Sequence, residues 1–210
     1  MTLEDFRNTP FRMRNLNSVY PDCANLAAKA KRLEDSGSTI RLKKGMYVVH
    51  PRVSKTELSP FLLANHIYGP SYVSMRTALR HYGLIPEAVY AVESMTTGIA
   101  KEYSNNLGSF KYIHVPASYY NIGVSIMDEA GSSFMIASPT KALCDLMVYT
   151  PNLNPRFQIA IREYLEEDIR FDMDELDSLD LDIIRECAEV SLKKTMLLQL
   201  IKFIENERNI

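Results

Sequence analysis

An α+β fold is what the sequence predicts, on three observations. The first fifty residues place three capped helical segments ahead of a basic hairpin. Residues 88–138 alternate β-branched or aromatic runs with turn residues, and from Pro155 onward the pattern is helical throughout. The predicted order is therefore helices, a small, mostly antiparallel sheet, and a helical C-terminus.

Each N-terminal element has its own start and stop signal. Thr2 can cap LEDFRN, which ends at Thr9-Pro10, and MRNLNSVY follows until Pro21 stops it. Asp22 reads as the N-cap of CANLAAKAKRLEDS, with Gly37 just past its end. Leu26, Ala30 and Leu33 fall on one stripe of that helix and predict its buried face. A hairpin follows, with strands at 39–42 and 46–49 around the turn Lys43-Lys44-Gly45, and Pro51 ends the pairing. The expected core of this unit is Leu16, Val19, Leu26, Leu33, Ile40 and Val48.

Three short helices and a two-stranded hairpin are the layout of a winged helix-turn-helix, whose third helix enters the major groove. Asn25, Ala28, Lys29 and Arg32 share one face of that helix. Lys29 and Arg32 can reach phosphates or guanine edges, and Asn25 can read adenine. Arg41, Lys43 and Lys44 become wing contacts to phosphate, although a Lys-Lys-Gly turn is also what an ordinary solvated hairpin tip looks like. Charge is graded in the same sense. Residues 1–55 carry eleven Lys/Arg against five Asp/Glu, a net +6, whereas 151–210 carry eight against fourteen, a net −6. A basic head and an acidic tail suggest different partners.

The polar stretch RVSKTELSP, residues 52–60, is the best boundary in the chain. It divides a DNA-binding unit at 1–52 from an α/β unit at 56–210. In the second unit FLLANHIY is helical, and Ser74 caps a helix at 75–82 closed by Gly83. AVYAVESMTT, GSFKYIHVP, YNIGVSIMD and SSFMIAS are expected strands, and Ser138-Pro139 opens the helix TKALCDLMVYT. RFQIAIREYLEED, DMDELDSL, DLDIIRECAEVS and KKTMLLQLIKFIENER complete the helical end.

Composition and motifs narrow the function classes. With 46% hydrophobic and 24% charged residues, the 210-residue chain has an ordinary globular composition. No apolar run approaches the ~20 residues that span a bilayer, and MTLEDFRN is unlike a signal peptide, so a cytoplasmic location and no membrane partner are expected. Cys23, Cys144 and Cys187 show no pairing or zinc spacing, and His50, His66, His81 and His114 show no ligand spacing. The acidic run at 172–182 lacks the glycine and glutamate of a calcium loop. Phosphate-cradling and nucleophile-elbow motifs are missing as well, so no catalytic residue, metal or cofactor is expected. His81 and Tyr82, with Lys141 and Asp145, form an acid–base set only if the fold unites them. More simply, Lys141 and Asp145 are an i,i+4 ion pair.

Three blocks resemble the AbiEi-type antitoxins of bacterial abortive-infection and type IV toxin–antitoxin systems. They are RLKKGMYVV, then YGPSYVSMRTALRHYGLIPEAVYAVESMTT running on through GSFKYIHVP, and IASPTKALCDLM. The resemblance implies a winged helix that represses its own promoter on double-stranded DNA. It also implies an antitoxin region, 56–210, that counteracts a nucleotidyltransferase-like toxin without enzymatic activity of its own. Within those blocks Ser74, Arg76, His81, Tyr82, Lys141 and Asp145 are the residues expected to serve the antitoxin function. Thr140 departs from the family pattern, which has glutamate there. Read without the resemblance, two rivals stay open: a protein-interaction module with a structural winged helix, and a nucleic-acid-processing enzyme.

Overall fold

A computed structural model of the protein describes residues 1–208. Its N-terminal part runs as a 3-10 turn at Glu4–Phe6, strand β1 (Phe11–Arg12), a second 3-10 segment at Met13–Ser18 and helix α1 (Leu26–Asp35). Strands β2 (Thr39–Lys43) and β3 (Met46–Val49) follow, and the three strands form an antiparallel sheet in the order β1-β3-β2. The first two segments are shorter and tighter than the α-helices expected. Asn and Ser side chains compete there for backbone partners: Asn15 accepts from the Arg12 amide at 3.0 Å, and Ser18 donates to the Asn15 carbonyl at 2.7 Å. The cap of α1 is Asn25, not Asp22, its Oδ1 accepting from the Ala28 amide at 2.9 Å. Gly37, at φ +69°, closes the helix in the left-handed conformation that side chains disfavour.

The second part carries a six-stranded sheet. After α2 (Pro51–Ser54), capped by His50, and α3 (Pro60–Ile67), capped by Ser59, come β4 (Ser71–Val73) and α4 (Met75–His81). Then follow β5 (Ala91–Thr96), β6 (Lys101–Asn105), β7 (Gly108–His114), α5 (Ala117–Tyr120), β8 (Val124–Glu129) and β9 (Ser132–Ala137). The order is β6-β7-β5-β4-β9-β8, and the sheet is mixed: β5 pairs with β7, and β4 with β9, in parallel. Three of its five pairings are antiparallel, and the two parallel ones make it mixed; β4 lies outside the expected strands. Its three residues are buried on both sides, so they show no alternation, and they run straight into a helix. Helices α6 (Pro139–Tyr149), α7 (Gln158–Glu163, continued by a π turn at Tyr164–Asp168), α8 (Leu181–Val190) and α9 (Lys194–Glu207) finish the chain. Among the described residues no helix is long and apolar enough to cross a membrane.

Two apolar clusters meet at the small sheet. Phe11, Leu16, Ala30, Leu33, Tyr47 and Val49 form one with α1. Leu42, Met46 and Val48 point the other way, into the large core with Leu63, Ile67, Phe110 and Tyr112. Of the six expected N-terminal core residues, Leu16 and Leu33 lie in the first cluster and the partly buried Leu26 packs on it, whereas Val48 is in the second and Ile40 packs on that. Val19 is only half-buried. Burying a Leu, Met or Val side chain is worth about 1.5–3 kcal/mol, so the hairpin is fastened from both faces.

Candidate functional site

The basic face is built by α1 and β2. Asn25, Lys29 and Arg32 line up on α1, Asn25 and Arg32 exposed and Lys29 half-buried with its ammonium 4.0 Å from the centre of the Tyr20 ring. Arg41 and Lys44 are exposed on the hairpin. Lys43 is not. A register irregularity between Arg41 and Lys43 turns its side chain toward the second part of the molecule. There Nζ donates to the Ile67 carbonyl and lies 5.5 Å from the centre of the Tyr103 ring. Burial, with Arg12 and Lys101 nearby, lowers its pKa from the usual lysine value. Of the eleven cations in residues 1–55, only Lys31 takes a salt bridge among the described residues, to Asp35. In the C-terminal part Arg162, Arg170, Arg185, Lys194 and Arg208 are all paired with carboxylates.

A second set of expected residues converges in the interior. Lys141 and Asp145, one turn apart on α6, are both fully buried, with Nζ 3.3 Å from Oδ1. Asp145 Oδ2 accepts from the Ser74 hydroxyl at 2.6 Å and the Tyr72 hydroxyl at 3.1 Å. The ammonium also donates to the Tyr119 carbonyl at 2.9 Å, faces the Tyr119 ring at 3.2 Å from its centre, and lies 3.8 Å from Cys187 Sγ. Burial pushes the Asp145 carboxyl above its ordinary range, while Lys141 and the hydroxyls pull it back. Burial likewise raises the Tyr72 phenol far above its usual value.

Ser74 reaches this cluster because it does not cap α4, as the sequence suggested. The α4 terminus is served from β5, where the Arg76 amide donates to Glu93 Oε2 at 3.2 Å. Met75, the next residue, has φ +53°, a left-handed conformation costing a non-glycine residue about 1–3 kcal/mol. Its buried side chain and the Ser74–Asp145 bond hold the chain there. His81 and Tyr82 lie elsewhere. His81 Nε2 is 3.2 Å from Met127 Sδ and its ring packs on Phe61, while Tyr82 donates to the Ala137 carbonyl at 3.0 Å. The acid–base set therefore does not form: among the described residues no hydrogen bond or ion pair joins His81 or Tyr82 to Lys141 or Asp145. Thr140 is buried and accepts from the Asp180 amide at 2.9 Å, tying α6 to the start of α8.

With neither charge exposed, no substrate reaches the Lys141–Asp145 pair in this conformation. Its evident work is to lock β4, α5, α6 and α8 in one arrangement, because a displaced partner leaves a naked charge inside. Tyr72, Tyr119 and Cys187 escaped the sequence reading. The sequence reads TKALCDLMVYT as strongly amphipathic; instead α6 is buried from Thr140 to Met147, so Lys141 and Asp145 lie inside and not on a solvated face.

Comparisons with known proteins bear on the fold alone. A scan against family models found no match, and a search of curated proteins found none. Among solved structures, the chain is similar to the crystal structure of the Rv2827c protein from Mycobacterium tuberculosis, with a TM-score of 0.53 at 12% identity. That similarity covers 97% of this chain and 78% of the other.

Proposed function

We propose that the protein is a non-enzymatic DNA-binding repressor of its own promoter and an antitoxin that counteracts a nucleotidyltransferase-like toxin. The observation that carries the first half is the N-terminal arrangement. Helical turn, strand, helical turn, helix and two strands, with sheet order β1-β3-β2, support a shortened winged helix-turn-helix. On its α1 face and hairpin it presents cations that the chain leaves without carboxylates, and phosphate is the natural partner for such a face. The second half rests on the resemblance to AbiEi-type antitoxins, whose blocks here contain Tyr72, Ser74, Lys141 and Asp145.

The rival interaction-module reading draws on one observation, the withdrawal of Lys43 from the surface. A salt titration of the full chain on its own promoter and on scrambled DNA separates the two. Repressor action requires retention that weakens steeply with salt and a preference for the promoter. Absence of both refutes it. Co-expression of the full chain with a neighbouring nucleotidyltransferase-like gene tests the antitoxin half, which fails if growth is not restored.

A further inference from the structure

A groove of about 760 Å³ runs along the outer edge of β2, between that strand and the turn joining β6 to β7. We infer that this groove is a track for one sugar-phosphate strand of the bound DNA, so that the second part of the molecule joins in gripping nucleic acid. The inference rests on the DNA-binding reading above and extends it to residues outside the winged helix.

The lining has the chemistry of a phosphate contact. Arg41, Lys44 and Arg52 are exposed in it, with Lys43 half-buried at its inner wall, and Glu34 is its one carboxylate. Across from them the end of β6 and its turn place Ser104, whose hydroxyl shares a hydrogen bond with Ser109 at 3.1 Å, and Asn105 and Asn106, neutral groups of the kind that accompany Arg and Lys on phosphate oxygens. Asn105 is already committed: its Nδ2 donates to the Leu42 carbonyl at 3.1 Å and its Oδ1 accepts from the Leu107 amide at 2.8 Å. That clasp fixes the width of the groove and leaves Asn106 exposed at the lip.

Length agrees as well. Five residues of β2 extend about 16 Å at ~3.3 Å per residue, and each strand of a duplex advances one phosphate per ~3.4 Å of axis. The edge could in principle accept a peptide strand instead. Its interrupted register and its row of cations are the devices by which sheet edges resist strand addition. Phosphate suits all of these features; an added strand suits none.

The test is a salt titration of full-length protein on promoter and scrambled DNA. Arg52→Gln should flatten log K against log salt by about one unit on both DNAs. Arg52→Lys, which keeps the charge, should restore the wild-type slope. Asn106→Glu places a carboxylate beside the strand and should raise Kd roughly five- to ten-fold at low salt on either DNA. Thr195→Glu on α9 adds the same charge outside the groove and should leave Kd within about two-fold, since exposed charges beyond a Debye length of ~10 Å are screened. All three positions are exposed, and matching melting curves establish that folding is unchanged. Suppose the wild type binds, a Lys29→Ala/Arg32→Ala variant weakens it, and the Arg52 and Asn106 variants match the wild type at every salt. The groove is then not a phosphate track, and the winged helix binds alone. If the wild type itself shows no retention, the DNA-binding reading falls and takes this inference with it.

Discussion

Removing the buried ammonium at Lys141 should cost more than any surface ion pair in the molecule. Lys141→Met keeps the length of the side chain but leaves the fully buried Asp145 with hydroxyl partners and no counter-charge. Breaking a buried pair by removing one partner costs about 3–5 kcal/mol. In a chain of this size each kcal/mol moves Tm by roughly 2–4 °C, so a drop of about 6–20 °C is expected at pH 7. Asp145→Asn should cost a similar amount, because it strands the ammonium. The double variant keeps an amide oxygen for both hydroxyls and should lie within about 1–2 kcal/mol of wild type. The pH dependence has a definite sign. Burial raises the Asp145 carboxyl and Lys141 opposes the rise, so in Lys141→Met the folded-state pKa climbs further. A carboxyl with a raised folded pKa holds its proton more tightly when folded; stability is highest below the unfolded value and is lost as pH rises toward the folded one. The Lys141→Met deficit should therefore shrink between pH 7 and pH 5, and that of the double variant should not. Urea denaturation followed by circular dichroism at both pH values measures this. A Lys141→Met protein that melts within about 2–3 °C of wild type at pH 7 would refute the buried-pair account.

Four further outcomes are expected. Arg41→Ala/Lys44→Ala should flatten the salt slope of DNA binding by about two units, whereas Lys43→Ala should flatten it by less than one and cost about 0.5–1.5 kcal/mol of stability through the lost Ile67 bond. Asn25→Ser retains a cap for α1 and should lower promoter preference by ~1–3 kcal/mol in competition binding; an unchanged preference excludes Asn25 from base reading. Leu42→Ala should destabilise the whole protein by about 2–5 kcal/mol in a single urea transition, and a separate early transition would show that the hairpin unfolds by itself. Thr140→Val removes the acceptor of the Asp180 amide and should cost about 1–3 kcal/mol by thermal melting.

What the sequence made legible depended on signals carried by neighbouring residues. Gly37 and Gly45 mark turns wherever they stand, and the hairpin at 39–49 forms where expected, with its first strand running to Lys43. The strands at 91–96, 108–114 and 132–137 fall inside the expected runs, and that at 124–129 overruns its own by one residue. Strand β6 was invisible because KEYSN is polar and mostly exposed, the composition of a sheet edge paired on one side only. Lys141 and Asp145 were legible as an i,i+4 pair, yet their burial was not, because it comes from Tyr72, Tyr119 and Cys187 at distant positions. Lys43 gave the reverse error. A lysine beside a turn glycine reads as solvated, and only the register irregularity before it, set by tertiary contact with Ile67 and Tyr103, turns it inward.

Both faces of the small sheet carry buried apolar residues, and this restricts how the N-terminal part could be exchanged. Winged helices on flexible tethers can be exchanged between chains as cassettes, keeping the body and replacing the reader. Here a recombination break near residue 55 would hand the new body a hairpin showing Leu42, Met46 and Val48, and would strip the old body of the surface covering Ile67 and Phe110. Both products would carry raw apolar patches, a liability for aggregation. In the proposed DNA-binding reading, a change of operator preference falls to point changes along α1 at Asn25, Lys29 and Arg32, none of which belongs to either apolar cluster.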